Sequence, residues 1–481
     1  MFENAQKDIL TIGVGGAAGD GVKKAGIKIA DFLRGRGYEV YVSFEYPSLI
    51  RGGHNFTRLS FSKNRIWCDH SKLDILIASN EESVGLHRSE LKEGAKIITD
   101  MPLPKISENP EIIFSDIENM SKMPFDTKTE LIDGNTAFAK GLQAAGLDFY
   151  LAYPMTPATS ILHYLASKQT KEGLKVIQPE NEISVINMAL GMAYAGKRAA
   201  VGTATGGFAL MQEAFSFAGM AELPLVVAVA QRQAPATGVP TRSSQSDLRF
   251  VIHAGHGEFP RIVISPGDSE ESFRAGADAL NLAWKFQVPV IVLLDKILSE
   301  HLMTSVLDEN SISIERNENI IFPGTPEKIV KVTSYEHDEN GFTTDKPEDI
   351  KKAVERRFEK MGKIEEEMQN IETVKILGDK ESENVVVFFG STKCPVLEAS
   401  KYFDKPAKLV QIVWLEPFDA EKVKKELENK RVICIEGNHN GQLASLIREK
   451  TGIEIKDKIL KYNSMPFDPM ELAEKINSLW S

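Results

Sequence analysis

Two stretches of the chain carry polar side chains suited to binding a ligand. In residues 150–157 an apolar run leads into two prolines that bracket Thr156. Proline fixes its own φ and pushes the residue before it towards extended conformations, so the turn should be stiff and present the Thr156 hydroxyl. The long polar loop 231–245 carries Arg232 and Arg242, and a guanidinium suits bidentate binding of a carboxylate. The alternative for residues 150–157 is a strand-ending turn without a ligand.

A glycine-rich stretch near the N-terminus has the composition of an anion site. Residues 13–19 read Gly-Val-Gly-Gly-Ala-Ala-Gly between an apolar run and a helical pattern. The small residues there, Gly15 and Gly16 among them, would let a ligand approach the backbone, and the start of the following helix would favour a negative charge. A tight turn between a strand and a helix is the alternative.

The loop between the predicted strands 38–44 and 56–61 contains Arg51, Gly52 and Gly53. An arginine beside exposed backbone amides can hold a phosphate or a carboxylate. A solvated loop is the alternative for an Arg-Gly-Gly sequence.

Metal-ligating patterns are weak in this chain. The Gly-Asp-Gly sequence at 19–21 resembles the start of a thiamine diphosphate metal motif, but residues 44–48 lack the asparagine that should follow. The single histidine among the acids at 336–339 is more typical of a solvated turn than of a metal site. The three cysteines lie far apart, and an iron–sulfur cluster needs about four thiolates. We therefore expect no metal on this chain.

The composition narrows the class of protein. The 481 residues allow roughly three domains at ~150 residues each, and a hydrophobic content of 42% is ordinary for a globular protein. The net charge of -11 argues against nucleic-acid binding, which needs a clustered basic face. We find no signal peptide and no apolar run near the ~20 residues of a membrane span. The expected protein is soluble and cytoplasmic, without a membrane partner.

Strand and helix patterns alternate between residues 131 and 294, which predicts a parallel sheet covered on both faces. A strand at 198–203 should lead into a turn at Thr205 and Gly206, and a helix should begin near Asn181. Residues 305–382 are charged and proline-punctuated, with a helical apolar stripe between Val354 and Ile371. The expected divisions are a small α/β domain, the parallel-sheet domain, a linker with an amphipathic helix, and a third domain, at 1–125, 126–304, 305–382 and 383–481.

Four motifs then occur in a familiar order: Tyr-Pro-Met-Thr-Pro at 153–157, Glu-Asn-Glu at 180–182, Thr-Gly-Val-Pro-Thr-Arg at 237–242, and Ser-Tyr-Glu-His-Asp-Glu at 334–339. With them the chain resembles the alpha subunit of 2-oxoacid:ferredoxin oxidoreductases. Residues 13–16 and 46–53 are similar to the gamma subunit of that family, here fused at the N-terminus. The resemblance covers nearly the whole chain.

The resemblance implies an α/β protein with a pyrimidine-type thiamine diphosphate-binding domain and a transketolase C-terminal-like domain. It implies coenzyme A-dependent oxidative decarboxylation of a small 2-oxoacid, either 2-oxoglutarate or a broad range, with ferredoxin accepting the electrons. A beta subunit would complete the enzyme and would bring Mg²⁺ and an iron–sulfur cluster.

The resemblance also implies roles for single residues. Glu182 matches the glutamate that activates the cofactor, because a carboxyl group at pyrimidine N1′ favours the imino tautomer that removes the thiazolium proton. Thr156 and Arg242 match substrate-binding positions, and Thr205 and Gly206 lie where a turn approaches the cofactor. Without the family, a glutamate that opens a helix is simply stabilised by the helix dipole.

By the same resemblance, Gly15, Gly16, Arg51, Gly52 and Gly53 would receive coenzyme A or form an interface. The chain departs from the family in two ways that bear on these roles. The gamma part is short, with its second half missing between about residues 102 and 128, and the usual Ser-Gly-Pro-Gly-like turn reads Ala-Thr-Gly-Gly at 204–207. A non-catalytic assembly subunit is therefore the alternative function. A free-standing nicotinamide dehydrogenase is a third hypothesis.

Overall fold

Three β-sheets organise the part of the chain that the structure describes. The computed structural model describes residues 9–47, 53–99, 101–114, 128–315, 317 and 320–481. The first nine strands are β1 Leu10–Ala17, β2 Glu39–Glu45, β3 His54–Ser62, β4 Leu73–Ala78, β5 Leu91–Ile98, β6 Glu130–Ile132, β7 Phe149–Leu151, β8 Lys175–Ile177 and β9 Ala199–Ala204. The others are β10 Leu225–Gln231, β11 Ile262–Ile264, β12 Pro289–Asp295, β13 Leu302–Ser305, β14 Val374–Gly378, β15 Asn384–Phe389, β16 Lys408–Ile412, β17 Trp414–Glu416, β18 Arg431–Glu436 and β19 Asp457–Leu460.

Helices cover these sheets and connect their strands. The first eight are α1 Val22–Gly35, α2 Glu81–His87, α3 Leu103–Glu108, α4 Gly134–Ala144, α5 Thr159–Glu172, α6 Glu182–Tyr194, α7 Thr205–Leu210 and α8 Gln212–Met220. The others are α9 Leu248–Ile252, α10 Ser269–Phe286, α11 Lys296–Glu300, α12 Pro347–Met368, α13 Lys393–Ala399, α14 Ala420–Leu427, α15 Gln442–Thr451 and α16 Pro469–Trp480. Within the described ranges, no helix combines the length and apolar character that a membrane span needs.

The second sheet confirms the predicted alternation of strand and helix. Its order is β17-β11-β12-β10-β9-β7-β8, and all of its strands except β17 run parallel. Parallel strands are buried on both faces, and every residue of β9, β10 and β12 is buried accordingly. The carboxyl ends of β7, β9 and β10 therefore lie side by side, which is the edge where ligands usually bind in such sheets.

The first sheet is mixed, in the order β5-β4-β1-β3-β2-β13-β6. The prediction that residues 13–19 form a turn is wrong for its first half, because Gly15 and Gly16 are paired inside β1 with Phe56 and Asn55 of β3. Strands β6 and β13 come from the stretch assigned to the second domain, and β13 pairs with β2 of the first. The four-part division of the chain remains a prediction, and the first sheet contains strands from both sides of the expected boundary between the first and second domains.

The third sheet has the order β14-β16-β15-β18-β19 and includes β14 from the expected linker. Strand β17 leaves this region and pairs antiparallel with β11 of the second sheet. In the linker, α12 forms as predicted and buries Ile364 and Met368 against the core of the second sheet. The predicted apolar stripe is wrong at Phe358, which is 38% exposed, while Arg357 of the same helix is buried and paired with Glu336.

Candidate active site

Glu182 is the first residue of α6 and is only 3% exposed. The side chain of Asn181 caps the helix by accepting a hydrogen bond from the backbone N–H of Ser184, so the start of α6 is fixed locally. Oxygen Oε1 of Glu182 is buried and has no hydrogen-bond partner among the described residues. A buried oxygen of this kind needs a donor that the chain itself does not supply.

A glycine in α7 lets the helix backbone approach this oxygen closely. A Cβ on Gly207 would lie 2.6 Å from Glu182 Oε1 and 2.1 Å from Thr203 Oγ1, which no side chain could occupy without displacing one of them. Thr203 stands near the end of β9 and its hydroxyl lies 3.9 Å from Met155 Sδ. Glu182, the start of α7 and the turn after β7 therefore meet at one edge.

Thr205 and Gly206 open α7 instead of forming the predicted turn, a difference that places their backbone in helical geometry. The Thr205 hydroxyl donates to Asp247 Oδ2 at 2.8 Å. Burial raises the pKa of Asp247, while the bond from Thr205 lowers it in part. Gly206 faces the loop 231–245, since a Cβ there would lie 3.8 Å from the carbonyl oxygen of Ala236.

The turn that carries Thr156 is held by two side-chain donors. Arg232 Nη1 donates to the carbonyl oxygen of Thr156 at 2.7 Å, and Asn135 Nδ2 donates to that of Pro157 at 2.8 Å. None of the described hydrogen bonds uses the Thr156 hydroxyl. Partial burial lowers the pKa of the Arg232 guanidinium. The cap of α4 is Asp133, which leaves the Asn135 side chain free to reach this turn.

Arg242 belongs to the same loop as Arg232, but its side chain has different neighbours. Its Nη1 atom is 3.0 Å from Met465 Sδ and 4.0 Å from Glu45 Oε2. It lines a cavity of about 350 Å³ between the first sheet, α11 and the segment 461–471. The backbone connects the two arginines, because the N–H of Gln233 donates to the carbonyl oxygen of Arg242 at 3.0 Å. The structure thus brings Arg232, rather than Arg242, against Thr156.

The glycine-rich stretch and the Arg-Gly-Gly loop meet at one edge of the first sheet. The N–H of Ala18 donates to the carbonyl oxygen of Gly53 at 3.0 Å, whereas Arg51 and Gly52 lie outside the described residues. A Cβ on Gly16 would lie 2.3 Å from Ser79 Oγ, so close packing requires this glycine. Gly15 is similarly close to Ser83, at 3.0 Å. Both β1 glycines are thus closely packed, and their role towards coenzyme A or an interface remains a prediction.

Asp20 shapes the same edge. Its Oδ2 atom accepts hydrogen bonds from the N–H of Ala17 at 2.9 Å and from Ser79 Oγ at 2.6 Å. The Asp20 carboxylate thus already accepts the hydrogen bond of the Ala17 amide, which an incoming anion would otherwise use. Among the residues that the structure describes, no group of three or more His, Cys, Asp and Glu side chains is arranged to hold a metal ion.

Comparisons with known proteins agree on one family. Residues 140–372 match the family described as pyruvate flavodoxin/ferredoxin oxidoreductase, thiamine diP-bdg, and residues 11–196 match pyruvate ferredoxin/flavodoxin oxidoreductase. The 2-oxoacid:ferredoxin oxidoreductase subunit alpha of Saccharolobus solfataricus is 36% identical over 75% of this chain, which spans 63% of that subunit's length. The 2-oxoglutarate synthase subunit KorA of Methanocaldococcus jannaschii is 32% identical over 65% of this chain and 89% of its own length.

One solved structure is similar over the whole chain. The 2-oxoglutarate:ferredoxin oxidoreductase from Magnetococcus marinus with 2-oxoglutarate, coenzyme A and succinyl-CoA bound has a TM-score of 0.88 and 26% identity. The match covers 99% of this chain and 100% of that one. These matches identify the fold and its thiamine diphosphate-binding domain. The chain belongs to the family of 2-oxoacid:ferredoxin oxidoreductase alpha subunits, oxidoreductases that carry a thiamine diphosphate-binding domain.

Proposed function

We propose that the chain is the catalytic alpha subunit of an enzyme that converts 2-oxoglutarate and coenzyme A to succinyl-CoA and CO₂. The carbon–carbon bond to the carboxyl group breaks, the thioester bond forms, and the electron pair passes to ferredoxin. The similarity to a KorA subunit and to the Magnetococcus marinus enzyme supports 2-oxoglutarate as substrate. A broad 2-oxoacid range, as the name of the Saccharolobus solfataricus relative suggests, is the wider version of the proposal.

The buried, unpartnered Oε1 of Glu182 is the observation that carries the proposal. The ring nitrogen N1′ of the thiamine pyrimidine, in its protonated form, would donate to this oxygen, and Gly207 lets the start of α7 approach the same oxygen closely. When bound, thiamine diphosphate supplies the nucleophilic carbon that adds to the 2-oxo group. Glu182 holds the proton at N1′, and Thr205 and Gly206 approach the cofactor from the start of α7.

Two arginines and one hydroxyl account for substrate recognition. The Thr156 hydroxyl, free of other described hydrogen bonds, faces the oxo and carboxylate groups, with Arg232 beside it supplying positive charge. Arg242, ten residues later in the same loop, binds a carboxylate as well. Two guanidiniums on one loop suit a substrate with two carboxylates, because each can donate a bidentate pair of hydrogen bonds to one carboxylate.

Exposed apolar side chains around this edge support docking of the beta subunit. Tyr153, Ile183, Met188, Leu210 and Val239 are between 37% and 54% exposed, and each belongs to a segment that carries a proposed site residue. An apolar surface around a polar pocket is typical of a protein interface. The beta subunit, in this proposal, covers the cofactor and contributes Mg²⁺ and the iron–sulfur cluster.

Coenzyme A is proposed to approach through the first domain. The hydrogen bond between Ala18 and Gly53 supports a joint role for Gly15, Gly16 and the loop with Arg51, Gly52 and Gly53. The carboxylate of Asp20 at this edge opposes a phosphate there, so contact through an interface is the alternative for these glycines. We infer a cytoplasmic location from the use of coenzyme A and ferredoxin.

The test is reconstitution of the chain with a beta subunit. The complex should contain thiamine diphosphate and should reduce a viologen dye only when 2-oxoglutarate and coenzyme A are both present. Pyruvate and 2-oxobutyrate in parallel assays distinguish a 2-oxoglutarate enzyme from a broad one. A complex that assembles without bound thiamine diphosphate and shows no turnover with any 2-oxoacid would favour the non-catalytic assembly subunit.

A further inference from the structure

The loop 231–245 is attached to the third sheet through one buried side chain, that of Gln245. This glutamine is only 3% exposed. Its Nε2 atom donates to the carbonyl oxygen of Phe389 at 3.1 Å and to Asp295 Oδ2 at 3.4 Å. Its Oε1 atom accepts from Thr392 Oγ1 at 2.7 Å and from the N–H of Gly437 at 2.9 Å.

The main chain of Gln245 is bound to the same region. Its N–H donates to the carbonyl oxygen of Gly437 at 2.8 Å, and its own carbonyl accepts from Asn438 Nδ2 at 3.2 Å. The partners stand at the ends of β12, β15 and β18, which belong to two different sheets. A fully satisfied buried amide of this kind selects one arrangement of its surroundings, because any shift leaves a donor or acceptor unpaired.

Glycines make room for this side chain. A Cβ on Gly390 would lie 3.0 Å from Gln245 Nε2, and one on Gly437 would lie 3.2 Å from Oε1. Gly390 also has a φ of +57°, a conformation that other residues adopt rarely. The ends of β15 and β18 are thus built around the amide of Gln245.

Residues before and after Gln245 in the chain form further hydrogen bonds that connect this attachment to the candidate site. Asp247, which holds the Thr205 hydroxyl, donates its own backbone N–H to Gln231 Oε1 at 2.9 Å. Earlier in the loop, Gln233 Oε1 accepts from Ser464 Oγ at 2.9 Å. The position of Arg242, three residues before Gln245, is therefore set from the third sheet as well as from its own loop.

We propose that Gln245 is a positioning residue for 2-oxoacid binding, which fixes the arginine-bearing loop against the carboxyl ends of β15 and β18. This proposal rests on the proposed function, since it assigns the loop to the substrate. Catalytic groups lose much of their effect when they are displaced by about 1 Å. A displaced loop should weaken 2-oxoacid binding while leaving coenzyme A binding unchanged.

The experiment compares Gln245→Leu with Gln411→Leu in the reconstituted complex. Gln411 is a matched control, because it is fully buried and bridges the same two regions by donating to Glu271 Oε2 at 2.6 Å, away from the loop. Gln245→Leu should raise the KM for 2-oxoglutarate about tenfold or more, with the KM for coenzyme A within about twofold. Gln411→Leu should lower the melting temperature similarly and change neither KM.

Thr392→Val is the milder variant, since it removes one donor to Gln245 and keeps the shape of the side chain. It should raise the KM for 2-oxoglutarate about threefold. If the Gln245→Leu complex does not assemble, this result with Thr392→Val tests the proposal. A purely structural role would reduce the active fraction and leave every KM unchanged, which would overturn the proposal. An equal rise of KM in Gln411→Leu would also overturn it. Failure of the proposed function itself is recognised separately, as a wild-type complex without 2-oxoacid-dependent turnover.

Discussion

At the scale of single residues, two of the buried polar atoms without partners belong to the proposed site and its neighbouring turn. Glu182 Oε1 and Asn135 Oδ1 are both buried and lack partners among the described residues. Each such atom costs roughly 1–3 kcal/mol of folding free energy. Active sites commonly accept costs of this kind in exchange for activity. Asn135 still gains two bonds, to Pro157 and to Ser160, whereas we propose that the Glu182 oxygen binds a ligand.

The sequence could suggest Glu182 only through its place among family motifs, whereas the proline-bracketed turn already pointed to Thr156. It could not rank the arginines, because Arg232 and Arg242 stand in the same polar loop with similar neighbours. The hydrogen bond from Arg232 to Thr156 joins residues 76 positions apart, and such a contact leaves no local signal. The same holds for Asn135, whose amide reaches Pro157 rather than its own helix end.

Replacing each arginine separately should distinguish their roles. Arg232→Met should raise the KM for every 2-oxoacid tested by about 10- to 100-fold, because hydrogen bonds to charged groups contribute roughly 1.5–3 kcal/mol. Arg242→Met should raise the KM for 2-oxoglutarate more than that for 2-oxobutyrate, which lacks the second carboxylate. Steady-state kinetics with both substrates provides the measurement. Equal effects of Arg242→Met on the two substrates would contradict the two-carboxylate assignment.

At the scale of elements, α6, β9 and α7 meet where we propose that the cofactor binds. Two helix starts lie there, one with Glu182 and the other with Thr205, and Gly207 lets them approach closely. The Thr-Gly-Gly sequence is typical of turns and therefore predicts a turn at Thr205. Helical geometry prevails there because α7 packs against β9 and the core, with Phe208 fully buried. Tertiary packing overrides local propensity at this point.

Gly207→Ala should therefore impair cofactor binding. The added methyl would lie within 2.6 Å of Glu182 Oε1, so thiamine diphosphate affinity should fall about tenfold or more, as for other overpacked sites that lose 1–3 kcal/mol. Calorimetric titration of the complex with the cofactor measures the change. Gly362→Ala on α12 is the control, because nothing lies within 4 Å of the added methyl, and it should leave the affinity unchanged.

At the scale of the whole molecule, a buried ionic cluster joins the second and third sheets. Lys393 contacts Asp268 and lies 2.5 Å from Glu271 Oε1, which is also 2.9 Å from Lys375. Burial would raise the pKa of Glu271, but Lys393 and Lys375 hold it at about 2. Because this pKa lies below its ordinary value, the stabilisation is complete above about pH 4.5 and is lost as the pH falls towards 2.

Lys393→Met should accordingly destabilise the protein at neutral pH by about 3–5 kcal/mol, because it leaves two buried carboxylates with less compensation. The deficit should shrink as the pH approaches 4, where protonation removes the uncompensated charge. Thermal melts at several pH values follow this difference. Lys285→Met is the control, since its ion pairs with Glu315 and Glu367 are partly exposed and should be worth less than about 1 kcal/mol. A loss of stability in Lys393→Met that does not depend on pH would contradict the stabilising role given to this buried ionic cluster.

The sequence predicted three α/β units but not how strands cross between them. Strands β6, β13 and β17 have three or four residues each, too few for a periodic pattern. Their pairing partners lie far along the chain: Val42 pairs with Leu302, for example. Such pairing follows from the packing of whole domains, which also encloses the cavity that contains Arg242. Sequence patterns over a few residues therefore cannot predict this strand pairing.

We propose that Glu182 activates a thiamine cofactor at this edge. The direct test is viologen reduction by the reconstituted complex that carries Glu182→Ala, beside one that carries Glu180→Ala. Glu180 is exposed and two residues away, so its replacement should leave turnover within about twofold of wild type. Glu182→Ala should reduce kcat by at least about 100-fold, the usual contribution of acid–base assistance. Near-normal turnover of Glu182→Ala would contradict the account.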